Sequence, residues 1–102
     1  MLHLNSSNFE AEVSSNRLVV VDFWAPWCGP CRALGPTMEE VSSEVEPGVA
    51  VAKLDIDECP ELAEKFGVQS IPTVIFFKNG VEVKRFVGLA TKADILASIN
   101  SM

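Results

Sequence analysis

Positive charge is scarce in this chain: eight Lys and Arg stand against fourteen Asp and Glu in 102 residues, a formal charge of −6. The few basic side chains are scattered, so no patch exists to neutralise phosphates, and no nucleic-acid partner is expected. Long apolar runs are missing too. None approaches the roughly 20 residues that cross a bilayer, so no membrane role is expected. The opening residues, Met1-Leu2-His3-Leu4-Asn5, lack the basic stretch and apolar run of a secretory signal, which sets the expectation of a cytoplasmic protein. No repeat, linker or low-complexity tract interrupts the chain, and its length suits one domain, residues 1–102. Cysteine is sparse and odd in number, three in all, which does not match the even framework of a small secreted scaffold. Reactive thiols fit better than structural staples. No nucleotide-binding fingerprint is present, so the chain brings no dinucleotide cofactor of its own.

What the sequence does contain is a regular alternation of strand and helix patterns. Leu2 to Asn5 is compatible with a short strand, and Ser7 with Glu10 reads as a capping box for a helix that aligns Phe9 and Val13. Leu18-Val19-Val20-Val21-Asp22-Phe23-Trp24 is nearly continuous in apolar, β-branched residues, as a central strand buried on both faces would be. Leu34, Met38, Val41 and Val45 recur at helical spacing, so a long helix should begin near Cys28, bend at Pro36 and end before Pro47-Gly48. Val49 to Ile56 reads as a strand, Cys59 to Phe66 as a helix ended by Gly67, and Thr73 to Phe77 as a further strand. Asn79-Gly80 marks a tight hairpin into Val81 to Val87, and Thr91 with Asp94 caps a last helix carrying Ile95, Leu96 and Ile99. The order predicts an α/β fold: one central mixed sheet of about five strands, with right-handed parallel crossovers and an antiparallel C-terminal hairpin, and about four helices on both faces.

Cys28-Gly29-Pro30-Cys31 carries the chemistry. At a helix start, cysteines three apart lie about 60° apart around the axis, close enough to switch between dithiol and disulfide. Free backbone N–H groups and the helix dipole at that end stabilise a Cys28 thiolate, making it the expected nucleophile, with Cys31 one turn inward and more buried. Pro30 is tolerated where its missing N–H has no intrahelical partner, and Gly29 leaves room for a substrate backbone. A C-x-x-C also serves as half of a zinc site, but only Cys59 and His3 remain as soft ligands, with no second pair, so no metal is expected. A permanent structural bridge is also a weak reading, because so short a loop removes little unfolded-state entropy.

The segment from Val21 to Cys31, V-D-F-W-A-P-W-C-G-P-C, resembles the active-site segment of the thioredoxin family almost residue for residue. The likeness continues through Lys53-Leu54-Asp55, Phe66-Gly67-Val68, Ile71-Pro72-Thr73, Phe77-Lys78-Asn79-Gly80 and Gly88, and so covers essentially the whole chain. It implies the thioredoxin fold and a thiol–disulfide oxidoreductase that reduces protein disulfides through Cys28 and Cys31. It also implies recycling by a thioredoxin reductase drawing on NADPH or ferredoxin, with no bound cofactor; a monomer is expected.

Asp22 stands out by itself, because an ionised carboxylate is expensive to bury in such a strand; the alternative is an edge or capping aspartate in water. The resemblance places it beneath the second cysteine as a general base and acid, acting through water, with Lys53 as its charge partner. A lysine alternating along a strand is otherwise solvent-facing. Trp24 suits the core and the site wall equally well, and Trp27, beside Cys28, should be exposed. The resemblance further implies a cis Ile71-Pro72 bond facing the cysteines and leaving the preceding backbone for an extended substrate. Gly88 serves either close approach of a partner or a plain turn. Cys59 falls outside the motif and reads as an unreactive, half-buried thiol. Two rival functions share these features: a disulfide oxidant or isomerase, which Gly29-Pro30 disfavours, and a redox-independent binding module using the apolar rim of Trp27, Pro72 and Gly88.

Overall fold

A computed structural model describes residues 1–102. In chain order the elements are β1 (Leu2–Leu4), α1 (Phe9–Ser15), β2 (Leu18–Trp24), α2 (Gly29–Glu44), β3 (Val49–Asp55), α3 (Pro60–Lys65), β4 (Thr73–Lys78), β5 (Val81–Val87) and α4 (Lys92–Asn100). The strands form one mixed sheet in the order β1-β3-β2-β4-β5. β3 pairs parallel with β1 and with β2, whereas β4 runs antiparallel to both β2 and β5. The antiparallel part of the sheet therefore begins at β4 and takes in the whole hairpin.

The continuous apolar run of β2 is explained by its central place, with a hydrophobic cluster on each side. Val19, Val21 and Phe23 point toward α1 and α3, where they meet Phe9, Val13, Leu62, Ile75 and Phe77. Leu18 and Val20 point the other way, against Leu34, Met38 and Val41 of α2 and Ile95 and Ile99 of α4. Each large side chain that these layers bury fully contributes on the order of 1.5–3 kcal/mol. The two-residue period of a strand thus decides which layer each residue joins.

Local signals set the element ends. Asn79 and Gly80 both take positive φ, 51° and 84°, as a two-residue hairpin turn requires. Gly67, at φ 64°, follows α3, and the Thr91 hydroxyl accepts the Asp94 N–H at 3.1 Å to cap α4. The expected capping box at Ser7 is not formed. Asn5 takes over: its side-chain oxygen accepts from the N–H groups of Ser7 and Asn8 and from the Ser7 hydroxyl. The Ser7 side chain is thereby turned back into a preceding turn, and Asn8 becomes the residue that opens α1. Helix α2 remains continuous through Pro36 for 16 residues.

Candidate functional site

Sheet register brings the site together. Asp22 and Trp24 share the parity of Leu18 and Val20, so they lie on the α2 side of β2, and Asp22 sits beside Lys53 in the parallel register with β3. Cys28 closes the turn after β2 and is the residue that opens α2. It is bonded to Cys31 in a disulfide with the Cα atoms 5.2 Å apart. Its sulfur accepts the Cys31 N–H at 3.2 Å, taking one of the donors that a helix start leaves free. The same sulfur lies 3.7 Å from the carbonyl oxygen of Ile71. The Ile71-Pro72 bond is cis, and the loop that carries it runs straight into β4.

Burial orders the two cysteines as expected, but by a narrow margin: Cys28 is 5% exposed and Cys31 2%. The open surface is supplied by their neighbours. Gly29, Pro30 and Arg32 are exposed, and Trp27 reaches 66%. Its indole N–H donates to Oδ2 of Asp57 at 2.9 Å, which fixes the ring over the loop after β3. Trp24 is half-buried, and the Lys53 ammonium lies 4.8 Å from the centre of its ring. Ile71 is half-buried and Pro72 buried. Gly88 has φ 92° and donates its N–H to the Pro72 carbonyl at 2.8 Å, so the turn reading of this glycine has a concrete basis. Cys59 is not half-buried: it is 1% exposed, opens α3 and packs in the α1/α3 cluster.

Asp22 is 2% exposed, and its Oδ1 has no hydrogen-bond partner. Loss of hydration penalises the ionised form, so burial pushes its pKa up to about 7, against a smaller downward pull from the Lys53 charge. A carboxyl that exchanges its proton near neutrality thus stands behind the disulfide. Asp22, Cys31 and Lys53 line one cavity of about 160 Å³ together with Trp24, Gly35 and Glu39. No cluster of side chains suited to hold a metal ion is present, and no helix is long and apolar enough to cross a membrane.

Asp57, Gly35 and Glu39 did not emerge from the sequence. Asp57 reaches Trp27 only because β2 and β3 end side by side, which no local pattern encodes. Gly35 and Glu39 lie on the same stripe of α2 as Cys31, a relation visible from helical spacing once the helix face is known.

A disulfide at a helix start, close to an exposed aromatic ring and backed by a protonatable carboxyl, defines a thiol–disulfide exchange centre. The thioredoxin family model matches residues 1–101. A thioredoxin of Mycobacterium bovis is 46% identical over 102 residues, spanning 99% of this chain and 88% of that protein. A bifunctional thioredoxin reductase/thioredoxin of Mycobacterium leprae is 47% identical over 102 residues; the match spans 99% of this chain and 22% of that protein. Among solved structures, a mutant thioredoxin from Halobacterium salinarum superposes with a TM-score of 0.91 at 36% identity, covering 98% of this chain and 88% of that one. The chain belongs to the thioredoxin family and has the thioredoxin fold. It is a thiol–disulfide oxidoreductase working through its own Cys28–Cys31 pair, with disulfide-containing proteins as substrates.

Proposed function

We propose that the protein acts as a reductase, with the residues of the site in the following roles. The Cys28 thiolate, stabilised by the start of α2, attacks one sulfur of a substrate disulfide, and the other sulfur leaves as a thiolate that takes a proton from solvent. Asp22 accepts the Cys31 proton through water, and the resulting thiolate attacks the Cys28 sulfur of the mixed disulfide. The substrate departs with both sulfurs reduced, and two electrons have left the protein as its own disulfide forms. Lys53 holds the charge of ionised Asp22, and Trp24 walls that side. Gly29 and Pro30 shape the helix start; Trp27, Ile71, Pro72 and Gly88 form the rim that receives an extended substrate segment.

The observation that carries this reading is the arrangement around one sulfur: Cys28 Sγ lies against the Ile71 carbonyl while the partner Cys31 shares a cavity with buried Asp22. A substrate-facing sulfur and a proton-managed sulfur are what a two-step exchange needs. Recycling by a thioredoxin reductase is supported by the fused relative, which carries both names in one chain. We assign the protein to the cytoplasm, because a pair that must return to the dithiol form works where reductant is supplied.

The test uses insulin reduction driven by a dithiol. Cys28→Ser should abolish turnover, because no other thiol occupies a helix start next to the rim. Cys31→Ser should accumulate substrate as a covalent mixed disulfide on Cys28. Turnover by the Cys28 variant, or no adduct with the Cys31 variant, refutes the assigned order of attack. A reduction potential at the oxidising end of the range for such proteins would make the protein an oxidant instead.

A further inference from the structure

Glycine is a poor helix former compared with alanine, yet Gly35 lies in the interior of α2. Its backbone does not require glycine, since its φ is not among the positive values. Beyond its two chain neighbours and the backbone of its own helix, a Cβ built at Gly35 meets no atom within 4 Å, although the adjacent Pro36 itself favours glycine, because a proline ring crowds the Cβ of a helical residue before it. Toward the sheet, the missing side chain leaves open space. Gly35 sits one helical turn beyond Cys31 and lines the cavity of about 160 Å³ whose buried end is formed by Asp22 and Cys31. Exposed Arg32 and Glu39 flank the glycine on the same stripe, and the Arg32 guanidinium is drawn aside to the Pro26 carbonyl at 3.2 Å. Water occupies about 30 Å³ per molecule in the liquid, so the cavity has room for several. The unpartnered Oδ1 of Asp22 gives such water an acceptor, and the Lys53 ammonium gives it a donor.

We propose that Gly35 is a positioning residue that keeps a water-filled passage open between solvent and the Asp22–Cys31 pair, so that protons enter and leave the site along α2. The proposal rests on the acid–base role assigned to Asp22 above. In the reductive half, the proton that Cys31 gives up passes through the passage water to Asp22. Asp22 then releases it along the same water to bulk, which readies the carboxylate for the next turnover. A side chain at position 35 fills the passage and leaves in place Lys53, whose charge acts on Asp22, and the charged residues Arg32 and Glu39 that line the same cavity.

The decisive variant is Gly35→Leu, read in single-turnover stopped-flow experiments from pH 5 to 9. General acid–base catalysis contributes about 10²–10⁴-fold, and obstructing its water should slow resolution of the mixed disulfide by about tenfold. Less hydration should also move the pH midpoint of resolution upward by more than half a unit. The first attack by Cys28 should keep its rate, because the passage ends at Cys31. An unchanged resolution rate and midpoint in a folded Gly35→Leu protein overturn the proposal. If the leucine prevents folding, Gly35→Ala decides. Its methyl meets no atom of another element within 4 Å, and resolution should slow by about threefold if acid–base catalysis depends on this water; an unchanged rate overturns the proposal. Asp22→Asn separates the two layers of argument. If that variant resolves at the wild-type rate, the acid–base reading fails and the passage with it; if it is slow while both Gly35 variants are normal, only the passage is refuted.

Discussion

Removing the Asp22 carboxyl should stabilise the protein, and by an amount that depends on pH. The folded-state pKa is about 7, raised from an ordinary value of 3.8 by burial. The unfolded chain therefore loses this proton some three units earlier on the pH scale than the folded chain does. Below pH 3.8 both states are protonated and Asp22 has no titration-linked effect on stability. Between the two values the unfolded state is ionised and the folded state is not, so wild-type stability falls steadily as pH rises. Above pH 7 the fall levels off. One pKa unit corresponds to about 1.4 kcal/mol, so the loss between acid and neutral pH is about 4 kcal/mol. Asp22→Ala escapes that loss and gives up only the packing of a small side chain at the edge of an existing cavity, a cost of about 1 kcal/mol. The net expectation is about 3 kcal/mol of added stability at pH 7 to 8. Urea melts of the oxidised wild type and variant at pH 4, 5.5, 7 and 8.5 measure it. The gain should grow with pH while the cavity cost stays constant, so the pH dependence is the sharper readout. A stability difference that is flat from pH 4 to 8.5 would refute the reasoning, since it would mean that Asp22 titrates alike in both states.

Two further outcomes follow from the cysteines and from the end of α3. In the reduced protein, iodoacetamide at pH 7 should label Cys28 at least about tenfold faster than Cys59, because both thiols open helices but Cys28 opens the 16-residue α2 beside exposed Trp27, whereas Cys59 opens the six-residue α3 and is 1% exposed within a core cluster; peptide mass spectrometry during the time course reads the order, and faster labelling of Cys59 would overturn it. Arg85 clamps the end of α3: its guanidinium donates to the Phe66 carbonyl at 2.7 Å and to both Glu82 carboxylate oxygens at 2.7 and 2.8 Å. Charge-assisted bonds of this kind contribute about 1.5–3 kcal/mol each at most, so Arg85→Ala should lower stability by about 2 kcal/mol in denaturant melts, and a loss under 0.5 kcal/mol would show that water replaces the clamp.

The elements were legible where local chemistry decides them. β2, the α2 start at Cys28, the Asn79-Gly80 turn and the Thr91 cap all follow from residues adjacent in sequence. The capping box at Ser7 was misread because Ser, Asn and Glu compete for the same few N–H groups, and a three-residue pattern cannot say that Asn5 reaches them first. The antiparallel direction of β4 against β2 was only partly visible, since α3 resembles any crossover helix and nothing in its six residues reports where the chain re-enters the sheet. The links Trp27–Asp57 and Arg85–Phe66 span 30 and 19 residues and exist only once the layers have assembled.

Besides Pro36 inside α2, two residues that line one space go against the local preferences of the elements that hold them: a carboxyl in a buried strand and a glycine in the interior of a helix. Each would be replaced by a sequence chosen for stability alone, Asp22 by an apolar residue and Gly35 by alanine. Both line the same cavity behind Cys31, although one comes from the sheet and the other from the helix above it. Independent accidents of sequence would have no reason to converge on one space. A shared task gives that reason, because a carboxyl isolated from water keeps its proton near pH 7 but exchanges it slowly, and a passage held open beside it restores the exchange while leaving the protein walls that raise its pKa in place. The stability forgone at these two positions is therefore expected to reappear as rate at the step where Cys31 must lose its proton.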